Sequence, residues 1–129
     1  ASRFGADTDY LATQHEEVCL IVQIESRAGL DAIEGITAVE GVDALFIGPA
    51  DLAASLGHLG QPRHPEVQAA IGSAIQRIRA AGKPVGIFAL DPADARARIA
   101  DGVAFLSIGT DIGLLARGAA ELLRDALRV

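Results

Sequence analysis

Two short stretches of this sequence carry residues suited to chemistry. Gln23-Ile24-Glu25 closes one β-branched run and Gly48-Pro49-Ala50-Asp51 closes another. Side chains alternate along a strand, so Gln23 and Glu25 share one face while Ile24 takes the other. Two polar groups on one face of an apolar strand are costly to bury unless something satisfies them. A cation bound at the mouth of the strand would do so. In the second stretch, glycine lets a ligand approach the backbone. Proline fixes the turn and donates no N–H, which leaves the N–H groups of Ala50 and Asp51 to hold a small anion. Glu25 and Asp51 together offer hard oxygen ligands, a donor set that suits Mg²⁺ or Mn²⁺, ions that keep several waters and accept a substrate oxygen. A carboxylate at a strand end also serves as a helix cap or ion-pair partner. Asp51-Leu52-Ala53-Ala54-Ser55 reads equally as a capped helical turn.

The other chemistry-bearing residues read more plainly. Asp91 and Asp111 each precede a helical pattern and are expected to cap it. His15, His58 and His64 lack metal-ligand spacing. His58 and His64 fall in a long loop and read as solvated side chains, with a ligand contact as the alternative. Arg27 lies near the two carboxylates, and an ion pair to a neighbouring helix accounts for it equally well. Cys19 sits in an apolar run and reads as inert core. As the single cysteine it forbids an internal disulfide and a cysteine-based metal knot. No Gly-rich phosphate loop and no Gly-x-Ser-x-Gly elbow occurs. No lysine stands at a strand end to form a Schiff base: Lys83 precedes its strand, at the opposite end from the site.

These residues are positioned by an alternation of two textures. Strands are expected at Val18–Glu25, which reads as buried on both faces, at Ala44–Gly48, at Val85–Ala89 and at Ala104–Ile108. Helical spacing follows each strand. Leu30, Ile33 and Ile36 mark a helix over Ala28–Ile36, and a long connection covers Pro49–His64. Pro65 opens a helix with the stripe Val67, Ala70, Ile71, Ala74, Ile75 and Ile78, stopped by Gly82 and Pro84. Asp91-Pro92 starts another, reaching Ala100. The last carries Leu114, Leu115, Ala119, Leu122, Leu123 and Leu127 on one face. A single domain over 1–129 is expected: a loop and short helix over 1–17, four βα units over 18–111, and a terminal helix over 112–129. This order is the grammar of a parallel sheet covered by helices. It fits an open doubly wound sheet or part of a (β/α)8 barrel, whose full length is ~250 residues. Length alone favours the open sheet.

Composition bounds the function. The chain has 129 residues, is 50% apolar and 22% charged, and carries a formal charge of −6. This excludes a disordered chain. The acidic balance argues against nucleic acid, whose phosphates need clustered Lys and Arg. No apolar run approaches the ~18 residues of a membrane span, and no signal-peptide pattern is visible. A soluble, cytoplasmic protein is the expectation.

The strand ends also carry a specific resemblance. Val22-Gln23-Ile24-Glu25-Ser26, then Glu40-Gly41-Val42-Asp43-Ala44-Leu45-Phe46-Ile47-Gly48-Pro49-Ala50-Asp51-Leu52, resembles the HpcH/HpaI aldolase family, the metal-dependent class II pyruvate aldolases of the phosphoenolpyruvate/pyruvate barrel superfamily. The likeness continues through Ser55-Leu56-Gly57-His58-Leu59-Gly60, His64-Pro65-Glu66-Val67-Gln68, Ala81-Gly82-Lys83-Pro84 and Ser107-Ile108-Gly109-Thr110-Asp111. The Gly-His-Leu-Gly stretch is most similar to the 2-dehydro-3-deoxyglucarate aldolases. The resemblance implies an α/β fold, the C-terminal half (about four βα units) of a (β/α)8 TIM barrel, in place of the open sheet. It implies Glu25 and Asp51 as ligands of a divalent metal (Mg²⁺, Mn²⁺ or Co²⁺). Gln23 lies beside them, and Gly48, Pro49, Ala50 and Asp51 form the loop that binds the pyruvate carboxylate. The implied reaction is cleavage of a 4-hydroxy-2-oxo acid to pyruvate and an aldehyde. The implied assembly is a homo-oligomer, a hexamer built from dimers, with the terminal helix packed on a neighbouring subunit. The family's catalytic Arg and His belong to the first half of the barrel, and no residue here matches either. The alternatives are a citrate-lyase-like enzyme of the same superfamily, acting on acyl-CoA, and a non-catalytic half-barrel that binds metal or 2-oxo acid.

Overall fold

The computed structural model describes residues 2–128. Ala1 and Val129, the ends of the expected domain, lie outside the described residues. A short 3-10 turn (Arg3–Gly5) and helix α1 (Tyr10–Glu17) precede the first strand. Then come β1 (Ile21–Ile24), α2 (Arg27–Asp31), α3 (Ile33–Thr37), β2 (Ala44–Ile47), α4 (Pro49–Ser55) and α5 (Pro65–Ala80). The chain continues through β3 (Val85–Ala89), α6 (Pro92–Ala100), β4 (Phe105–Ile108) and α7 (Asp111–Ala126). The four strands form one parallel sheet in the order β1-β2-β3-β4. Consecutive parallel strands joined by helices are four successive βα units, the arrangement of neighbouring strands in a (β/α)8 barrel.

The sheet has two unlike faces, and the pleat assigns residues to them. Ile24, Leu45, Ile47, Val85 and Ile87 point under the helices and are fully buried against Leu30, Ile33, Leu52, Val67, Ile71, Ile75 and Ile78. The helical stripe of α5 supplies most of that cover. The opposite face carries Gln23, Phe46, Gly86, Phe88, Phe105 and Ser107. Register sets Gln23 beside Phe46 and Phe46 beside Gly86. It also sets Gly86 beside Phe105 and Phe88 beside Ser107. Gly86 is required there: a β-carbon would lie 2.2 Å from the Phe105 ring. With that space free, the Phe46 and Phe105 rings meet across it, 5.9 Å between centroids. Apart from Gly86 this second face is partly open, and it is the one that carries the candidate residues.

Several expectations are corrected. β1 begins at Ile21, not Val18, and it is not buried on both faces: Val18 is 59%, Leu20 48% and Ile21 44% exposed. The reason is its place at the sheet edge, where it pairs with β2 alone among the described residues. Cys19, in the same stretch, is exposed rather than core. The helix over Ala28–Ile36 is broken at Ala32 into α2 and α3. The connection Pro49–His64 begins with α4, so the capped-turn reading of Asp51 extends to a helix that starts at Pro49. Thr110, not Asp111, caps α7, its side chain accepting from the N–H of Gly113 at 3.0 Å. Asp91 caps α6 as expected, accepting from Ala93 and Asp94.

Candidate active site

The carboxyl ends of β1 and β2 lie side by side, because the Gly48 N–H donates to the Ile24 carbonyl at 3.1 Å. This extends the ladder by one residue and brings Glu25 next to Gly48. A β-carbon at Gly48 would sit 2.8 Å from Gln23 Nε2 and 3.3 Å from Glu25 Oε2. The alternation argument therefore holds in space: Gln23 and Glu25 converge over the same glycine, and any larger residue there would displace them. Gly48 has φ −100, so its role is close approach and not backbone freedom.

Pro49 then opens α4. Pro49, Leu52 and Ala53 are buried and anchor this helix beside the sheet. Ala50 and Asp51 are exposed in its first turn, where backbone N–H groups have no carbonyl one turn earlier in the helix. Gln23, Phe46, Gly48, Pro49, Ala50, Asp51, Phe88 and Leu90 line one cavity of about 300 Å³. Its floor is polar at Gln23 and Asp51 and its wall is apolar at Phe46, Phe88 and Leu90. Glu25 reaches the same Gly48 from the adjoining turn. Among the described residues, no hydrogen bond or ion pair is made by the carboxylates of Glu25 and Asp51. Two exposed, uncompensated carboxylates at neighbouring strand ends fit a hard divalent cation that keeps part of its water shell.

The surrounding charges are already paired. The Arg27 N–H donates to Ser55 Oγ at 3.1 Å, and its guanidinium lies 3.7 Å from Glu66 on α5, the ion pair to a neighbouring helix. Leu90 is fixed by its N–H, which donates to Asp94 Oδ2 at 2.9 Å. Arg63 pairs with Asp91 at 2.5 Å. The Asp91 carboxyl is held below its usual range, first by the Asp94 N–H it accepts and also by Arg63. Lys83 donates to the Val42 carbonyl at the far end of the sheet, away from the cavity.

Sequence reading missed three parts of this region. Phe46 and Phe88 wall the cavity, and both stand one place before buried or after buried isoleucines, so the period-2 pattern contained them. Leu90, just past β3, left no such signal. The reading of His58 and His64 as solvated loop residues is also corrected: their rings stack at 3.6 Å, and the His58 side chain is only 20% exposed.

The fold coincides with that of a known group. The model of the HpcH/HpaI aldolase/citrate lyase family matches residues 4–118. The chain belongs to the HpcH/HpaI aldolase/citrate lyase family. It is 52% identical over 121 residues to a hydroxypyruvate/pyruvate aldolase of Chromohalobacter salexigens, covering 94% of this chain and 48% of that protein. It is 46% identical over 128 residues to a 5-keto-4-deoxy-D-glucarate aldolase of Shigella dysenteriae, covering 99% of this chain and 50% of the other. A crystal structure of an HpcH/HpaI family protein from Burkholderia cenocepacia superposes with a TM-score of 0.90 at 45% identity, over 98% of this chain and 49% of that one. The chain thus spans about half the length of the HpcH/HpaI relatives it matches. The resemblance read from the strand ends is borne out, as is the parallel α/β fold. Among the described residues, no helix is long and apolar enough to cross a membrane.

Proposed function

We propose that this chain is the metal- and pyruvate-holding half of a class II aldolase that cleaves a 4-hydroxy-2-oxo acid, such as 2-dehydro-3-deoxyglucarate, to pyruvate and an aldehyde. The observation that carries this reading is the convergence of Gln23 and Glu25 over Gly48 beside the cavity that Asp51 lines. Glu25 and Asp51 would hold a divalent cation, Mg²⁺, Mn²⁺ or Co²⁺, through carboxylate oxygens that no other group engages among the described residues. Such an ion, when bound, supplies Lewis acidity at the 2-oxo group.

The chain's own groups do the rest of the binding. The Ala50 and Asp51 N–H groups donate to the carboxylate of the 2-oxo acid and set its orientation. Gln23 donates or accepts at the polar floor. Phe46, Phe88 and Leu90 cover the carbon end of the substrate and keep water from it, which strengthens each electrostatic contact beneath. The aldehyde end, the proton-transferring base and the Arg that steadies developing charge are assigned to the remainder of the enzyme. The exposed leucines of α7, Leu114, Leu115, Leu122, Leu123 and Leu127, are assigned to a neighbouring copy in a homo-oligomer.

The test is pyruvate release from a 4-hydroxy-2-oxo acid by the purified full-length protein, with Mg²⁺, Mn²⁺ or Co²⁺ and after EDTA. Cleavage that requires the added ion supports the reading. Equal turnover in metal-free protein refutes it. The isolated 129-residue chain is expected to bind a 2-oxo acid with the ion and to turn over weakly or not at all.

A further inference from the structure

The loop after α4 and the first turn of α5 build a cluster that the proposed aldolase site does not use. The His58 and His64 rings stack with centroids 3.6 Å apart and planes 15° from parallel. His58 Nε2 lies 2.8 Å from Glu66 Oε2. The Glu66 N–H donates to His64 Nδ1 at 3.3 Å, making His64 the N-cap of α5. Chemistry fixes the protons on both bonds. A backbone N–H only donates, so His64 Nδ1 holds a lone pair. A carboxylate only accepts, so His58 Nε2 holds a proton.

His58, His64 and Glu66 offer ligand atoms within 4.8 Å of one another, which raises a metal site as one reading. The stacking opposes it. An ion bound to imidazole lies near the ring plane, along the nitrogen lone pair. Two nearly parallel planes at this spacing do not meet at one ion, and the His64 Nδ1 lone pair is already engaged by α5.

It also joins the pieces of the candidate site. The His58 N–H donates to the Ala53 carbonyl at 2.8 Å, at the end of the helix whose first turn carries Ala50 and Asp51. Arg27, two residues past Glu25, pairs with Glu66 at 3.7 Å. Arg63, in the same loop, pairs with Asp91 next to Leu90. The charged groups gathered at the histidines are Glu66 of α5 and, paired with its carboxylate, Arg27 at the start of α2. The hydrogen bond from His58 holds the Glu66 carboxyl below its usual range, so it remains an acceptor as the solution is acidified.

We propose that His58 and His64 are positioning residues that make the geometry of the site depend on protons: uncharged His64 caps α5 and holds the loop Gly57–Arg63, and a proton on its Nδ1 releases both. Three effects act together on that proton. Imidazolium has no lone pair for the Glu66 N–H. Its charge opposes the positive end of the helix. It also stacks on a second ring that already shares its proton with Glu66. The catalytic consequence rests on the aldolase reading; the release of the cap does not.

The experiment uses the full-length enzyme between pH 8 and pH 5, the window in which imidazoles commonly gain a proton. The protection factor of the Glu66 amide against hydrogen exchange is measured, with KM and kcat for the 2-oxo acid substrate in parallel. Protection is expected to fall roughly fivefold on acidification, the equivalent of one lost cap. In His64→Asn, which caps without titrating, protection stays level, and the rise in KM that accompanies acidification disappears. If that variant does not fold, His64→Asp supplies the same cap and is expected to behave alike. Glu66 protection that is unchanged across the range in the natural enzyme overturns the proposal. So does a capping variant that loses protection in parallel with the natural enzyme. An enzyme that shows the expected exchange but cleaves no 4-hydroxy-2-oxo acid upholds the cap and overturns the aldolase reading alone.

Discussion

Glu25 and Gly48 face each other across the β1–β2 boundary: a β-carbon at Gly48 would lie 3.3 Å from Glu25 Oε2 and only 2.8 Å from Gln23 Nε2. Gly48→Ala is therefore expected to spare the fold and damage the site. The nearest atom met, Gln23 Nε2 at 2.8 Å, is the end of a flexible side chain that can move; Glu25 Cβ, at 3.3 Å, has to give by only a few tenths of an ångström, and φ at Gly48 is one that alanine adopts. Chemical denaturation should show a change of about 1 kcal/mol or less. Calorimetric titration should show divalent-ion affinity reduced roughly tenfold or more, the scale seen when groups that orient metal ligands are disturbed.

Removing the ligands themselves goes further. Glu25→Ala or Asp51→Ala, made in the full-length enzyme, is expected to abolish divalent-dependent aldol cleavage. Wild-type-like pyruvate release by the EDTA-treated variants would contradict the assignment. Both side chains are exposed and unpaired among the described residues, so thermal stability should hardly change.

Arg98 tests the scaffold behind the site. It is 7% exposed, and its guanidinium reaches Asp94 at 3.1 Å, Asp101 at 3.3 Å and Gln68 on α5. Asp94 in turn accepts the Leu90 N–H, which holds part of the cavity wall. Arg98→Ala leaves the largely covered Asp94 carboxylate without its cation, a change expected to cost up to about 3 kcal/mol. Urea unfolding followed by circular dichroism would measure it.

Glu34 sets an acid limit on stability. Arg77 of α5 donates from Nε to its Oε1 at 2.6 Å, tying α3 to α5. That hydrogen bond is the main reason its carboxyl titrates at about 2 instead of 4.5. A depressed carboxyl contributes fully above the unfolded value and loses its contribution as pH falls through the folded one. Glu34→Gln should therefore be less stable than the natural chain at neutral pH, and the difference should shrink from pH 4.5 down to about 2. Stability curves of both proteins across that range check the sign.

Elements whose signals are local were legible in the sequence. Val85–Ala89 is the strand expected, since Pro84 and the Asp91-Pro92 cap bound it on both sides. The α5 stripe is buried at Val67, Ile71, Ala74, Ile75 and Ile78, because one helix face meets one sheet face. Gln23 and Glu25 followed from the two-residue pleat. What depends on partners distant in sequence was not legible. The exposure of Leu20 and Cys19 is decided by which strand lies beyond β1, a fact no local pattern contains. Thr110 took the cap from Asp111 because backbone direction at the strand exit, φ −128 and ψ 155, aims its hydroxyl back at Gly113. The stack of His58 on His64 needed α4 and α5 to bring a loop back on itself.

Strand order equals chain order, and this shapes how the molecule is made. Each newly added unit docks on the one synthesised just before it, so the cost of closing a loop is confined to a single connection at each step. Within the sheet each strand after β1 has its neighbour already made, which shortens the time that nascent apolar surface such as Ile47 or Ile87 stays open to misassociation.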